Sequence, residues 1–158
     1  MQIRNLSVTY TTRLGEVSAV DKVSFDINKG EILGLVGESG CGKSTMGKAL
    51  MRMIQPPGQI TGGQIIFNGE DIMNYDQNQM RSFRGRKVSM IFQDPMTSLN
   101  PVQRVDEHII EAIKVHEPRT TTEDALERAG TLVRKLGIQK RRMNSYPHQL
   151  SGGMRQRV

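Results

Sequence analysis

Tryptophan is absent from this 158-residue chain, aromatic residues make up 4% of it, and there is one cysteine, Cys41. A lone cysteine excludes an internal disulfide, which fits a reducing compartment. No apolar run approaches the roughly eighteen residues that a membrane-spanning helix needs. The first residues, Met1-Gln2-Ile3-Arg4-Asn5, lack the apolar stretch of a secretory signal. Zinc-type Cys/His spacings are missing, and so is the interleaving of basic and aromatic residues seen in RNA-binding surfaces. No nucleic-acid partner is therefore expected. Apolar residues reach only 36%, with ten methionines, so the core is expected to be aliphatic and methionine-rich. The length is one domain's worth, enough to bury a core. The net charge of +6 suits anionic partners, while the short run Lys140-Arg141-Arg142 reads as a solvated basic surface.

What is present is concentrated in one octet. Gly37-Glu38-Ser39-Gly40-Cys41-Gly42-Lys43-Ser44 has the spacing of a phosphate-binding loop. It follows the apolar run Ile32-Leu33-Gly34-Leu35-Val36 and opens a segment of helical periodicity, the strand-loop-helix context that the motif requires. Glycines let the backbone curl so that successive N–H groups face an anion. The Lys43 ammonium can reach β- and γ-phosphates, the Ser44 hydroxyl can bind Mg²⁺, and the helix start is its positive end.

Along the rest of the chain, Leu6, Val8 and Tyr10 alternate with polar residues as a strand does, and Val23, Phe25 and Ile27 repeat the pattern. Residues 32–36 are expected to form a buried strand. The apolar stripe Met46, Ala49, Leu50, Met53 and Ile54 predicts a helix stopped by Pro56-Pro57-Gly58. Gln64–Phe67 reads as a strand closed by an Asn68-Gly69 hairpin turn. Residues 87–92 form a further apolar run, expected to be a strand ending at Gln93. Beyond it the pattern is helical: one helix carries Val105, Ile109 and Ile113, and a second, capped by Thr122, carries Ala125, Ala129, Leu132, Val133 and Leu136 and ends at Gly137. Two parts result, a strand-rich 1–93 and a helical 94–158.

The chain closes on Leu150-Ser151-Gly152-Gly153-Met154, in which Ser151 can cap a helix and two glycines leave its backbone open to a phosphate. With the phosphate loop and Gln93, this resembles the nucleotide-binding subunits of ABC transporters, where these three motifs occur in this order. Met154 departs from the commonest residue at the fifth position of that signature. The stretch Met90–Pro101 and the segment Ser145-Tyr146-Pro147-His148-Gln149 are similar to those of the dipeptide, oligopeptide and nickel importer ATPases.

The resemblance implies an α/β fold: a P-loop NTPase core with an N-terminal antiparallel β subdomain and a helical signature subdomain, truncated before the Walker B strand. The implied cofactors are ATP and Mg²⁺. Tyr10 would stack on adenine, the alternative being a strand aromatic packed on the core. Gly37, Ser39, Gly40, Cys41, Gly42, Lys43, Ser44 and Thr45 would hold the phosphates, with Ser44 and Gln93 on the metal. Gln93 would also position water and act as a hinge. Ser151, Gly152 and Gly153 would serve the ATP of a second ABC ATPase subunit. Transmembrane permease subunits are the other implied partners, placing the protein peripherally on the cytoplasmic face of the cell membrane.

The family's general base follows an aspartate at the end of an apolar strand after the signature helix, and no apolar run here ends in Asp-Glu. The chain is thus expected to be the N-terminal portion of a longer ATPase that energises uptake of peptides or nickel. The expected sheet lacks strands, and hydrolysis by these residues alone should be negligible. The alternative is a non-transport ABC-type ATPase acting on nucleic acid or the ribosome; His148 reads as a loop residue in either case.

Overall fold

A computed structural model describes residues 1–92 and 98–158. Gln93, the expected metal and hinge ligand, lies outside the described residues. The chain divides into two compact units, Met1–Val88 and Ser89–Val158.

The first unit is built on a four-stranded antiparallel sheet in the order β2-β1-β3-β4. Its strands are β1 (Gln2–Thr12), β2 (Gly15–Asp26), β3 (Gly58–Phe67) and β4 (Glu70–Asp71). In β1 the residues Ile3, Leu6 and Val8 are fully buried. The register shifts twice between Ile3 and Val8, so the buried side chains are not in strict alternation, as expected where bulges re-aim a strand. The Asn68-Gly69 turn forms as the sequence predicts. Both residues have positive φ, 51° and 89°, the backbone that a type I′ hairpin demands, and Phe67 pairs with Glu70 across it.

Helices α1 (Lys43–Leu50) and α2 (Gln77–Arg86) cover this sheet with Met46, Ala49, Met80 and Phe83. Phe83 meets Phe67 edge-on at 5.3 Å and Tyr75 at 6.2 Å, the geometry aromatic quadrupoles favour. Asp76 starts α2 with a capping box: its carboxylate accepts from the Gln79 N–H while the Gln79 side chain accepts from the Asp76 N–H, satisfying two otherwise orphaned donors.

Two expected strands do not form. Residues 32–36 have no sheet hydrogen bonds, and Ile32 and Val36 are 98% and 92% exposed. In the run 87–92 the pairing found among the described residues is an isolated parallel bridge between Arg84 and Val88, and Ile91 is 97% exposed. The physical reason is that a strand exists only against a partner. A parallel strand also needs a crossover-connected neighbour covered on both faces. Among the described residues the four antiparallel strands pair with one another, and no parallel sheet is assembled.

The second unit is helical: α3 (Val105–His116), α4 (Thr122–Lys135) and α5 (Gly152–Arg157), with short 3₁₀ turns at Lys140–Asn144 and Pro147–Gln149. Its core is Val105, Ile109, Ala129, Val133, Ile138, Met143 and Leu150. Thr121, not Thr122, caps α4, its hydroxyl accepting from the Asp124 N–H at 3.1 Å. The shift by one residue follows from a run of three threonines, Thr120-Thr121-Thr122, any of which offers the capping hydroxyl. Gly137, at φ 70°, ends α4 as expected. Asp106 is buried at the start of α3, where its carboxylate accepts from the Arg104 guanidinium and from the Glu107 N–H. Nothing in the sequence pattern singled it out.

Candidate functional site

The loop 37–44 is shaped by its glycines. Gly40 and Gly42 have φ of 85° and 94°, the left-handed region that side chains resist. Gly42 is constrained a second way: a Cβ there would stand 2.2 Å from the Ala19 carbonyl oxygen of β2. Only a residue without a side chain lets the start of α1 seat against that strand. At Gly37 a Cβ would lie 2.6 Å from the Cys41 Sγ, so the loop folds closely on itself. The Cys41 N–H donates to the Glu38 carbonyl at 3.3 Å, helping to close the turn.

Lys43 turns back over this loop. Its ammonium donates to the carbonyls of Gly37 (2.8 Å) and Glu38 (2.6 Å) and lies 3.5 Å from the Cys41 Sγ. The charge is thereby held at the mouth of the loop. Gly42 caps α1 with no side-chain acceptor, so the first N–H groups of that helix meet no competing side chain. An uncapped helix N-terminus, a curled glycine backbone and a lysine brought to the same place together make an anion cradle. Ser44 is exposed and Thr45 half-buried in the first turn. Ser39 is exposed on the loop. Among the described residues, no group of three or more His, Cys, Asp or Glu side chains could hold a metal ion. A cation here would depend on the anion's own oxygens and on a hydroxyl such as that of Ser44.

Tyr10 lies on β1, opposite Val17 on β2 and Gly58 on β3. Its half-buried ring packs against the β core. A Cβ at Gly58 would come within 2.5 Å of the ring, so the tyrosine occupies the space that this glycine leaves.

In the second unit Ser151 caps α5, its hydroxyl accepting from the Met154 N–H at 3.3 Å. Gly152 and Gly153 are exposed, have ordinary backbone angles, and have nothing within 4 Å of a Cβ built on either. Nothing inside the described chain requires glycine at these two positions. His148 stacks on Tyr146, the rings 5.7 Å apart and 9° from parallel. The sequence reading named the loop residues but missed Ala19, whose carbonyl is the wall behind Gly42. Its signal is only the register of β2, invisible before the sheet is paired.

A family model described as ABC transporter matches residues 20–158. The chain belongs to the ABC transporter family. The oligopeptide transport ATP-binding protein OppD of Bacillus subtilis (strain 168) is 44% identical over 161 residues, covering 100% of this chain and 45% of its own length. The dipeptide transport ATP-binding protein DppD of Lactococcus lactis subsp. cremoris (strain MG1363) is 42% identical, covering 100% of this chain and 46% of its own. The OppD of Escherichia coli (strain K12) is 43% identical, again over 100% of this chain, and 47% of its own length is covered. This chain therefore spans about half the length of the curated relatives it matches. Among solved structures, the dimeric ATP-binding cassette MJ0796 bound to ADP and Pi aligns with a TM-score of 0.80 over 99% of this chain and 65% of its own, at 24% identity. That likeness establishes the ABC ATPase cassette fold, with its antiparallel β sheet and helices.

Proposed function

We propose that this chain is the ATP-binding part of a subunit that energises peptide uptake across a membrane. The single observation that carries the reading is the cradle at 37–45, where the Lys43 ammonium sits over the Gly37 and Glu38 carbonyls at an uncapped helix start. The residues fit a triphosphate. Lys43 would exchange its two carbonyl contacts for β- and γ-phosphate oxygens, while the N–H groups around Gly40, Gly42, Ser44 and Thr45 would donate to the phosphates. Ser44 would offer its hydroxyl to Mg²⁺, with Gln93 as a further ligand. The metal, when bound, supplies charge neutralisation between the phosphates.

Tyr10, half-buried on β1, would stack on adenine. Ser151, Gly152 and Gly153 would receive the phosphates of a second cassette, a role supported by glycines that nothing in the packing of the described residues explains. The nucleotide part would comprise 1–93 and the signature part 94–158. The peptide class follows from relatives named for oligopeptide and dipeptide transport, and with it come permease subunits and a peripheral place at the cytoplasmic membrane face. Among the described residues no helix is long and apolar enough to cross a membrane. These residues are proposed to supply binding, with steady-state hydrolysis negligible in this chain alone.

The test is calorimetric titration with MgATP. Lys43→Ala should weaken binding at least tenfold without unfolding the protein, since among the described residues its side-chain partners all lie in its own loop. Unchanged affinity in Lys43→Ala and in Ser44→Ala would remove the loop from the nucleotide site.

A further inference from the structure

From Arg128 to Val158 the chain carries eight Lys and Arg residues and no Asp or Glu. The net charge of the whole chain is +6, so the preceding 127 residues net −2 and the basic excess belongs entirely to this stretch. The fold gathers much of it around one end of α4. The Arg134 guanidinium donates to the Gly130 carbonyl and to the Thr131 hydroxyl. The Lys140 stem crosses the same glycine, its Cε 3.3 Å from where a Cβ would stand. Arg157 reaches across from α5 to donate to the Leu136 carbonyl at 2.8 Å. Lys135, exposed on the last turn of α4, and Arg142, exposed in the 3₁₀ turn, complete the patch.

Among the described residues most of these cations have no counter-charge. Among the described residues Arg128 pairs with Glu117, and none of the other seven makes an ion pair. Among the described residues their hydrogen bonds go to carbonyl, hydroxyl and amide oxygens, which leave the full charge in place. Leu132 is 47% exposed and stands four residues after Arg128 and three before Lys135, on the same face of α4. An apolar side chain bracketed by long cationic ones suits an interface with an acyl boundary below and phosphates above. A single-stranded nucleic acid would also call for free aromatic faces, and Tyr146, the one Phe, Tyr or Trp residue between Arg128 and Val158, is stacked on His148.

We propose that the basic surface around the end of α4, carried by Lys135, Lys140, Arg142 and their neighbours, docks on anionic phospholipid headgroups. It rests on the reading above only in placing the protein beside a membrane. Clustered Lys and Arg residues gain from the negative surface potential of such a leaflet, and the gain is screened by salt.

The experiment is co-sedimentation of this chain with phosphatidylglycerol vesicles and with phosphatidylcholine vesicles, at about 50 mM and about 500 mM salt. The comparison protein carries Lys135→Glu, Lys140→Glu and Arg142→Glu together, at exposed positions whose side chains make no hydrogen bond among the described residues; its circular dichroism and MgATP titration check the fold. Binding to phosphatidylglycerol alone, lost at high salt and at least tenfold weaker in the triple variant, is the expected result. Equal sedimentation of the two proteins, or none with phosphatidylglycerol at low salt, overturns the proposal. Stronger charge-dependent binding to duplex DNA than to these vesicles also overturns it. A protein that binds MgATP but not vesicles refutes this surface alone, whereas one that binds vesicles but not MgATP refutes the nucleotide reading alone.

Discussion

Gly42 and Gly153 are both motif glycines, yet the structure assigns them opposite sensitivities. Gly42→Ala puts a methyl group 2.2 Å from the Ala19 carbonyl oxygen at a φ of 94°. The left-handed backbone costs alanine about 1–2 kcal/mol, relieving the overlap costs about 1–3, and the stiffer unfolded chain returns about 0.4–1. The net loss is roughly 3 kcal/mol, a large share of a typical stability of about 5–15. Gly153→Ala meets nothing within 4 Å and needs no unusual angle; helix propensity then favours it by up to about 1 kcal/mol. Urea unfolding followed by circular dichroism separates the two. With a slope of about 2 kcal/mol per molar, the Gly42→Ala midpoint should fall by about 1.5 M, and the Gly153→Ala midpoint should hold or rise. A Gly42→Ala midpoint equal to that of the parent, or a Gly153→Ala loss above about 1 kcal/mol, would refute the geometric argument.

Met143 is 2% exposed in the helical core, so Met143→Ala should destabilise that unit by about 2–5 kcal/mol, read as lost amide protection in α3 and α4. Hydrogen bonding from the Arg4 guanidinium holds the Asp26 carboxyl below the usual carboxylate range. A depressed folded value means that the pair's stabilisation is present above the unfolded carboxyl pKa and is lost as pH falls through the folded one. Carboxyl NMR titration should place Asp26 lower than a free aspartate, and Arg4→Gln should return it upward; an unchanged value in the variant would show that Arg4 is not the cause.

Local signals in the sequence were the ones that translated into structure. Asn68-Gly69 specifies its own dihedral angles, Gly137 its own helix end, and Ser151 its own cap, so each was legible in a few residues. The capping box at Asp76 and Gln79 is equally local, but α2 is polar and carries little apolar periodicity to mark where a helix begins. Residues 32–36 and 87–92 had the composition of buried strands, but composition does not supply a pairing partner. Seating Gly42 against Ala19 is likewise non-local, since it depends on the β1–β2 register. In the candidate site the spacing of Gly37–Ser44 marked the loop, while the turn of Lys43 onto two carbonyls required the folded backbone.

The unpaired run at 32–36 has a consequence for how the protein behaves in solution. Its backbone donors and acceptors lie beside side chains as apolar as Ile32 and Val36, so another copy of the chain can satisfy both at once. Association of that kind grows with concentration and is indifferent to how stable each folded unit is. Colloidal behaviour, rather than melting temperature, should therefore set the upper working concentration. A charged residue at Ile32 should raise that ceiling while leaving the phosphate loop five residues downstream unchanged.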